Sequence, residues 1–96
     1  MNLQVTARHF NLSERLEGIV EKEIAGLSKH YDHINDVNVV LTVDSGIHHV
    51  DVTVRVPNHT LNSEGERADH FDVLIPAVVR KAATQLQRHK EKLKGL

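Results

Sequence analysis

The sequence contains no cysteine and no tryptophan, and only three of its 96 residues are aromatic. Without cysteine, disulfide bonds, thiolate metal sites and cysteine catalysis are excluded. The aromatic residues are Phe10, Tyr31 and Phe71, so the core must be built from aliphatic side chains. So few aromatic rings also argue against recognition of single-stranded bases by stacking.

Long apolar runs are missing as well. No stretch approaches the roughly 20 apolar residues that cross a bilayer, and residues 1–5 lack the basic and then apolar pattern of a signal peptide. We therefore expect a cytoplasmic protein that does not associate with a membrane. The length and the 40% hydrophobic composition predict a single globular domain over residues 1–96.

The charges are nearly balanced in number but not in position. Twelve Lys and Arg residues oppose 13 Asp and Glu residues, a net charge of −1. Residues 76–96 hold six basic residues against Glu91 alone, a net charge of +5, whereas residues 1–75 hold six basic and 12 acidic residues, a net charge of −6. A polyanion responds to such a local field more than to the sum.

The first third of the chain predicts a strand and a helix. Residues 3–7 alternate apolar and polar side chains, which is typical of a half-buried strand. Ser13 is the expected N-cap of an amphipathic helix of about 17 residues, with apolar positions every three or four residues. Gly26 inside that helix would weaken it by up to about 1 kcal/mol relative to Ala.

The middle of the chain predicts three more strands. Alternating β-branched residues mark strands over 37–43 and 50–56, and the Gly-containing segment between them indicates an antiparallel hairpin. A fourth strand is expected over about 60–65.

A second amphipathic helix ends the chain. Its N-cap is either Asp69 or Asp72, and Asp72 is favoured because Pro76 then falls in the first turn. The order β-α-β-β-β-α predicts an α+β two-layer sandwich, with a four-stranded sheet and both helices on one face. A polar and basic stripe lies opposite the apolar face of this helix. The stripe and its flanks consist of Arg80, Lys81, Thr84, Arg88, His89, Lys90, Lys92 and Lys94.

The basic stripe has two interpretations. Cations at helical spacing can contact successive phosphates of a nucleic acid and release their counterions. Alternatively, the stripe is a solvated helix end, where the helix dipole favours cations.

Catalytic and metal-binding motifs are missing. The sequence has no nucleophile elbow, no phosphate-binding Gly loop and no HExxH helix, so we expect neither an enzyme nor a small-molecule substrate. His48 and His49 are adjacent in a predicted strand and would point to opposite faces. The sequence fixes no carboxylate beside His30 and His33. We therefore predict no metal site and no cofactor.

Several short motifs, taken in order, resemble one family. Residues 5–9 (VTARH) and 12–16 (LSERL) are similar to its first strand and helix opening, and 27–34 (LSKHYDHI) to the exit of that helix. Residues 63–65 (SEG) resemble its fourth strand, and 85–94 (QLQRHKEKLK) its basic helix end. The chain thus resembles the short ribosome hibernation promoting factors and ribosome-associated inhibitor proteins, the sigma-N modulation family.

The resemblance implies a fold that is similar, in its last five elements, to double-stranded-RNA-binding domains. It also implies a bacterial stress-response protein that regulates translation by binding the rRNA of the small ribosomal subunit in the decoding channel. This chain has no counterpart of the C-terminal dimerisation domain of long members, so we expect a monomer off the ribosome. Carried over by position, the family's basic contacts fall on Arg8, Lys22, Lys29, Arg80, Lys81, Arg88 and Lys90.

His89 and Lys92 of the helical stripe complete the predicted RNA-binding residues. We expect the last helix to carry most of the contact, because the first helix is rich in glutamate. Two other functions fit parts of the sequence. The acidic residues 1–75 suit a protein-interaction regulator that uses the first helix or a sheet edge, and the topology suits a general binder of double-stranded RNA.

The eight histidines give a first testable prediction. Imidazole is the side chain that gains positive charge as the pH falls from about 7.5 to 6, so RNA binding should strengthen over that range. Affinity for ribosomes, measured at constant ionic strength, checks this, and an affinity that stays flat would contradict it.

Overall fold

The computed structural model describes residues 1–68 and 70–94. The elements follow in the order β1 (Asn2–Arg8), α1 (Glu14–Ala25), β2 (Asp36–Asp44), β3 (Ile47–Val56), β4 (His59–Arg67) and α2 (Phe71–Leu93). A 3₁₀ turn over Gly26–Lys29 continues α1. The predicted element order and α+β class are therefore confirmed. In this described part, no helix combines the length and the apolarity needed to cross a bilayer.

The four strands form one mixed sheet in the order β1-β2-β3-β4. β1 and β2 run parallel, as a crossover through α1 allows, and the other two pairs are antiparallel.

Both hairpins have two-residue loops. Ser45 and Gly46 have φ angles of 51° and 80°, as a type I′ turn requires. In the second loop, Asn58 follows Pro57 with a φ angle of 63°, which suits a type II turn.

One face of the sheet is apolar and carries both helices. Alternate residues of each strand point to this face and are buried against the apolar stripes of α1 and α2. The core is aliphatic, as expected from the few aromatic residues. Its fully buried members include Val20, Ile24, Leu41, Val52, Ile75 and Leu86.

The other face of the sheet is polar, and we call it the open face. Its residues are the alternate ones along each strand, and they lie side by side in register. Gln4 is opposite Asn38, Asn38 is opposite Thr53, and Thr53 is opposite Asn62. The sheet thus separates a helical side from an uncovered side, so residues of neighbouring number are directed to different surfaces.

The end of α1 differs from the sequence prediction. Ser13 is the N-cap as predicted, and its Oγ accepts a hydrogen bond from the Leu16 amide at 3.1 Å. The α-helix has only 12 residues, however, because Gly26 is its C-cap. The chain tightens there into the 3₁₀ turn, and Ser28 Oγ donates to the Ala25 carbonyl at 2.9 Å. Gly26 keeps helical backbone angles and is the first residue of the 3₁₀ turn, so it lies where the α-helical geometry changes to 3₁₀ and not inside α1.

The start of α2 also differs. His70 is the N-cap and Asp72 lies inside the first turn, so the prediction that Asp72 caps the helix was wrong. Asp69, the other candidate, lies outside the described residues. The helix begins early because Phe71, its first residue, is buried in the core. Pro76 consequently falls in the second turn rather than in the first.

An ion pair joins the starts of the two helices. Arg15 donates to both carboxylate oxygens of Asp72, at 2.7 and 3.3 Å. The hydrogen bond from Arg15, aided by its charge, lowers the pKa of Asp72 below the ordinary value of 3.8. Both side chains are largely exposed, so the contribution to stability is small.

The pair makes a pH-dependent prediction. Because the folded state holds the pKa of Asp72 below its unfolded value, the stabilisation is present above about pH 4 and is lost as the pH falls through the folded pKa. Urea unfolding should show wild type more stable than Arg15→Ala near neutral pH. The difference in unfolding free energy between the two proteins should become smaller by about pH 2. A difference that grows on acidification would contradict the lowered pKa of Asp72.

A second stability prediction concerns the contact of α2 with β4. A Cβ on Gly65 would lie 2.9 Å from Val78 Cγ2 and 3.3 Å from Leu74 Cδ1. Gly65→Ala should therefore destabilise the fold by about 1–3 kcal/mol through overpacking. Gly18→Ala is the matched control, since nothing lies within 4 Å of its Cβ, and it should stabilise α1 by about 0.5–1 kcal/mol. Equal shifts in urea unfolding for the two variants would refute the close packing.

Candidate nucleic-acid interface

The cations of α2 fall on three sides of the helix. Arg80 and Arg88 line a groove of about 560 Å³ beside the chain segment that follows α1. Lys90 lies nearer that segment and lines a smaller cleft with Lys29. Lys81 lies on the opposite side, against β4. The packing of α2 therefore divides a stripe that looks continuous in the sequence.

We call the first of these sites the basic groove. It is formed by Arg80, Thr84, Gln87 and Arg88 of α2 together with His30, and Glu91 is the one carboxylate that lines it in the part of the chain that the structure describes.

Both arginines of the basic groove are exposed. Within residues 1–68 and 70–94, neither Arg80 nor Arg88 forms an ion pair. Each guanidinium presents several N–H donors in a planar fork that matches the geometry of phosphate oxygens. The groove is therefore suited to a polyanion.

Lys81 has a different setting from the arginines. Its Nζ donates to the Glu64 carbonyl at 3.1 Å, and Gln85 Nε2 donates to the Asn62 carbonyl at 2.8 Å. Both carbonyls belong to β4, an edge strand whose outward groups would otherwise be available to another strand. Lys81 is thus turned away from the basic groove and covers the sheet edge.

His89 and Lys92 lie in the last turns of α2, beside the β3–β4 loop. The His89 ring stacks on His59, with centroids 5.0 Å apart and an interplanar angle of 4°, and it meets Tyr31 edge-on at 5.7 Å. His89 is half-buried, whereas Lys92 is exposed. Lys92 and Arg88 line a pocket of about 400 Å³ next to this stack.

Two predicted residues lie away from α2. Arg8 is opposite Thr42 in β2 and lies on the open face, because its neighbour Ala7 occupies the buried side. Lys22 is exposed in the last turn of α1. The structure therefore gathers six of the nine predicted residues around α2, from Arg80 to its end, and the 3₁₀ turn after α1. These six are Lys29, Arg80, Arg88, His89, Lys90 and Lys92.

Some charged side chains of the open face have polar partners on the same face. Glu64 lies 3.1 Å from His49, and Arg55 lies 3.4 Å from Asp36. Asp51 accepts hydrogen bonds from two neighbouring side chains at 3.0 and 3.4 Å. Arg8 is exposed on this face and forms no ion pair among the described residues. The face therefore offers a polyanion mainly carboxylates, with Arg8 as an unpaired cation.

The adjacent histidines occupy opposite faces, as predicted. His48 packs against Phe71 on the core side, with ring centroids 4.6 Å apart, and His49 faces Glu64 on the open face. Among the described residues, no group of three or more His, Cys, Asp or Glu side chains is placed to hold a metal ion.

Sequence reasoning missed His30 and His59 as members of these surfaces. His30 follows the 3₁₀ turn and reaches the basic groove, and His59 follows a left-handed Asn58 that brings it beside α2. Spacing along the chain does not reveal that the exit of α1 and the β3–β4 loop both meet α2. Pro57 and Asn58 indicate a turn in the sequence, but they do not indicate the direction in which the chain leaves that turn.

These features define a small α+β protein with an exposed basic surface on its last helix. The sequence profile described as "Sigma 54 modulation protein / S30EA ribosomal protein" matches residues 3–94. The chain is 34% identical over 94 residues to the ribosome hibernation promoting factor of Escherichia coli K12, covering 98% of each chain. It is 27% identical over 96 residues to that of Pseudomonas putida, covering 100% of this chain and 93% of the relative. The protein belongs to this family, which confirms the resemblance found in its motifs.

Solved structures share the fold. The N-terminal domain of Thermus thermophilus Protein Y superposes with a TM-score of 0.84 at 26% identity, covering 93% of this chain and 99% of that one. A ribosomal subunit interface protein from Coxiella burnetii gives a TM-score of 0.87 at 24% identity, covering 95% and 99%. The mixed sheet with two helices is therefore the architecture of this group of proteins.

Proposed function

We propose that this protein is a ribosome hibernation factor that inhibits translation by occupying the decoding channel of the small subunit. The observation that carries the proposal is the basic groove, in which Arg80 and Arg88 are exposed and, among the described residues, unpaired. Family membership supports the ribosome as the partner, since the relatives are ribosome hibernation promoting factors and one structural neighbour is a ribosomal subunit interface protein.

The spacing of the two arginines suits a nucleic-acid backbone. They are two turns apart on one side of α2, about 12 Å along the helix axis. At that separation they contact different phosphates, and each contact releases a condensed counterion. Lys29 and Lys90 extend the positive surface toward the exit of α1.

The mechanism requires a rigid body and no bond-making chemistry. Lys81 and Gln85 attach α2 to β4, and Ser63 Oγ donates to the Val78 carbonyl at 3.1 Å inside the core. A helix fixed in this way presents its cations without reorganisation. The body of the protein then excludes messenger and transfer RNA from the channel by volume alone, without a cofactor.

The difference in charge between the helical side and the open face sets the orientation of the protein on the rRNA. The open face carries Asp51 and Glu64, which would repel phosphate, so it is directed away from the rRNA. Arg8 lies on that face and is excluded from the contact surface we propose. In this account the protein is cytoplasmic and monomeric until it meets the ribosome during stress.

Matched charge reversals test the orientation. Arg80→Glu/Arg88→Glu should abolish cosedimentation with small subunits at moderate salt, and should lower the salt slope of binding by about 1.4–1.8, since each lost phosphate contact removes about 0.7–0.9. Arg8→Glu/Arg55→Glu changes the net charge equally on the open face and should retain binding. Thermal unfolding of both variants controls for loss of fold.

Three results would contradict the proposal. Equal loss of binding in the two variants would show that net charge, not the groove, matters. Binding that resists high salt and needs no RNA would favour the protein-interaction regulator. Competition by free duplex RNA as effective as that by ribosomes would favour a general double-stranded-RNA binder.

A further inference from the structure

A second pocket lies beyond the end of the basic groove. It is bounded by the start of β4 on one side and the last turns of α2 on the other, with a volume of about 400 Å³. Its apolar parts come from Leu61 and Leu93. Leu93 is 60% exposed and leaves apolar surface uncovered at the rim of the pocket.

The wall of the pocket is a pair of stacked imidazole rings. His59 is exposed and lies parallel to the half-buried His89, and the edge of Tyr31 supports His89. The left-handed backbone of Asn58 places His59 there. A planar ring backed by a second ring is a rigid stacking platform, because neither ring must be ordered when a ligand arrives.

Cations surround this platform. Arg88 and Lys92 line the pocket, and in the described part of the chain none of its lining residues is acidic. Gln85, held by its bond to the Asn62 carbonyl, places an amide at the same rim. A ligand with a planar ring and a negatively charged group matches this arrangement. A nucleotide of an RNA strand has both, in its base and its phosphate.

We propose that this pocket holds one unpaired rRNA nucleobase, stacked on His59, with its flanking phosphates on Arg88 and Lys92. The inference deepens the proposed function and rests on it. The base must be unstacked and unpaired, because the faces of bases in an A-form helix are covered by the neighbouring bases. The scarcity of Phe, Tyr and Trp argued against base stacking, but the fold supplies the platform from histidines that are distant in sequence.

Substitutions of His59 test the inference. His59→Ala should weaken binding to small subunits roughly tenfold, with an unchanged salt slope, because no phosphate contact is lost. His59→Phe retains a stacking ring and should restore wild-type affinity. His49→Ala is the matched control, since His49 lies on the open face and does not line the pocket. Thermal unfolding verifies that each variant is folded.

Chemical probing of the rRNA identifies the occupant. One base should be protected by wild type and His59→Phe and become reactive with His59→Ala, while the rest of the footprint persists. If His59→Ala binds small subunits as tightly as wild type, the inference is wrong. It is also wrong if His59→Ala and His59→Phe lose the same affinity. In both cases the proposed function is unaffected. Weaker binding of His59→Ala with no change at any base would also overturn it, in favour of a ribosomal protein as the occupant. Failure of the wild type itself to bind small subunits would refute both proposals.

Discussion

The packing of α2 on the sheet is the constraint on which the proposed binding surface depends. Gly65 lets the helix approach β4 to within a distance that a methyl group would obstruct. Lys81 and Gln85 then attach the helix to the backbone of the same strand. These contacts fix the rotation of α2 about its own axis and its height above the sheet. Arg80 and Arg88 therefore point into the basic groove. A helix of the same sequence seated differently would present a different set of cations.

The two surfaces of the sheet have opposite electrostatic character. On the helical side, guanidinium and ammonium groups remain exposed around the second half of α2. On the open face, Glu64 and Asp51 contribute negative charge, and the ion pair of Arg55 with Asp36 neutralises one of the cations. A net charge of −1 is therefore compatible with binding a polyanion, because the field at one surface steers the approach and orientation of a charged partner.

Much of the fold follows from local patterns in the sequence. Alternation and turn residues predict the strands, and Ser13 predicts the start of α1. The errors lie at the helix ends, where tertiary contacts override local preference. Burial of Phe71 starts α2 before Asp72, and the 3₁₀ turn after Gly26 shortens α1.

The candidate site is less predictable than the fold. Helical periodicity identifies the cations of α2, but it does not separate Lys81, which covers a sheet edge, from Arg80 next to it. The open-face position of Arg8 follows only from the strand register. The stack of His59 on His89 joins residues that are 30 positions apart, and no local pattern encodes it.

In the proposed complex, α2 and not the open face lies against the rRNA. The chain has no cysteine, so single cysteines at Thr84, in the basic groove, and at Gln4, on the open face, can carry a tethered iron chelate. Hydroxyl radicals from position 84 should cleave rRNA of the decoding channel, and those from position 4 should cleave little or none. Strong cleavage from position 4 with none from position 84 would contradict the account.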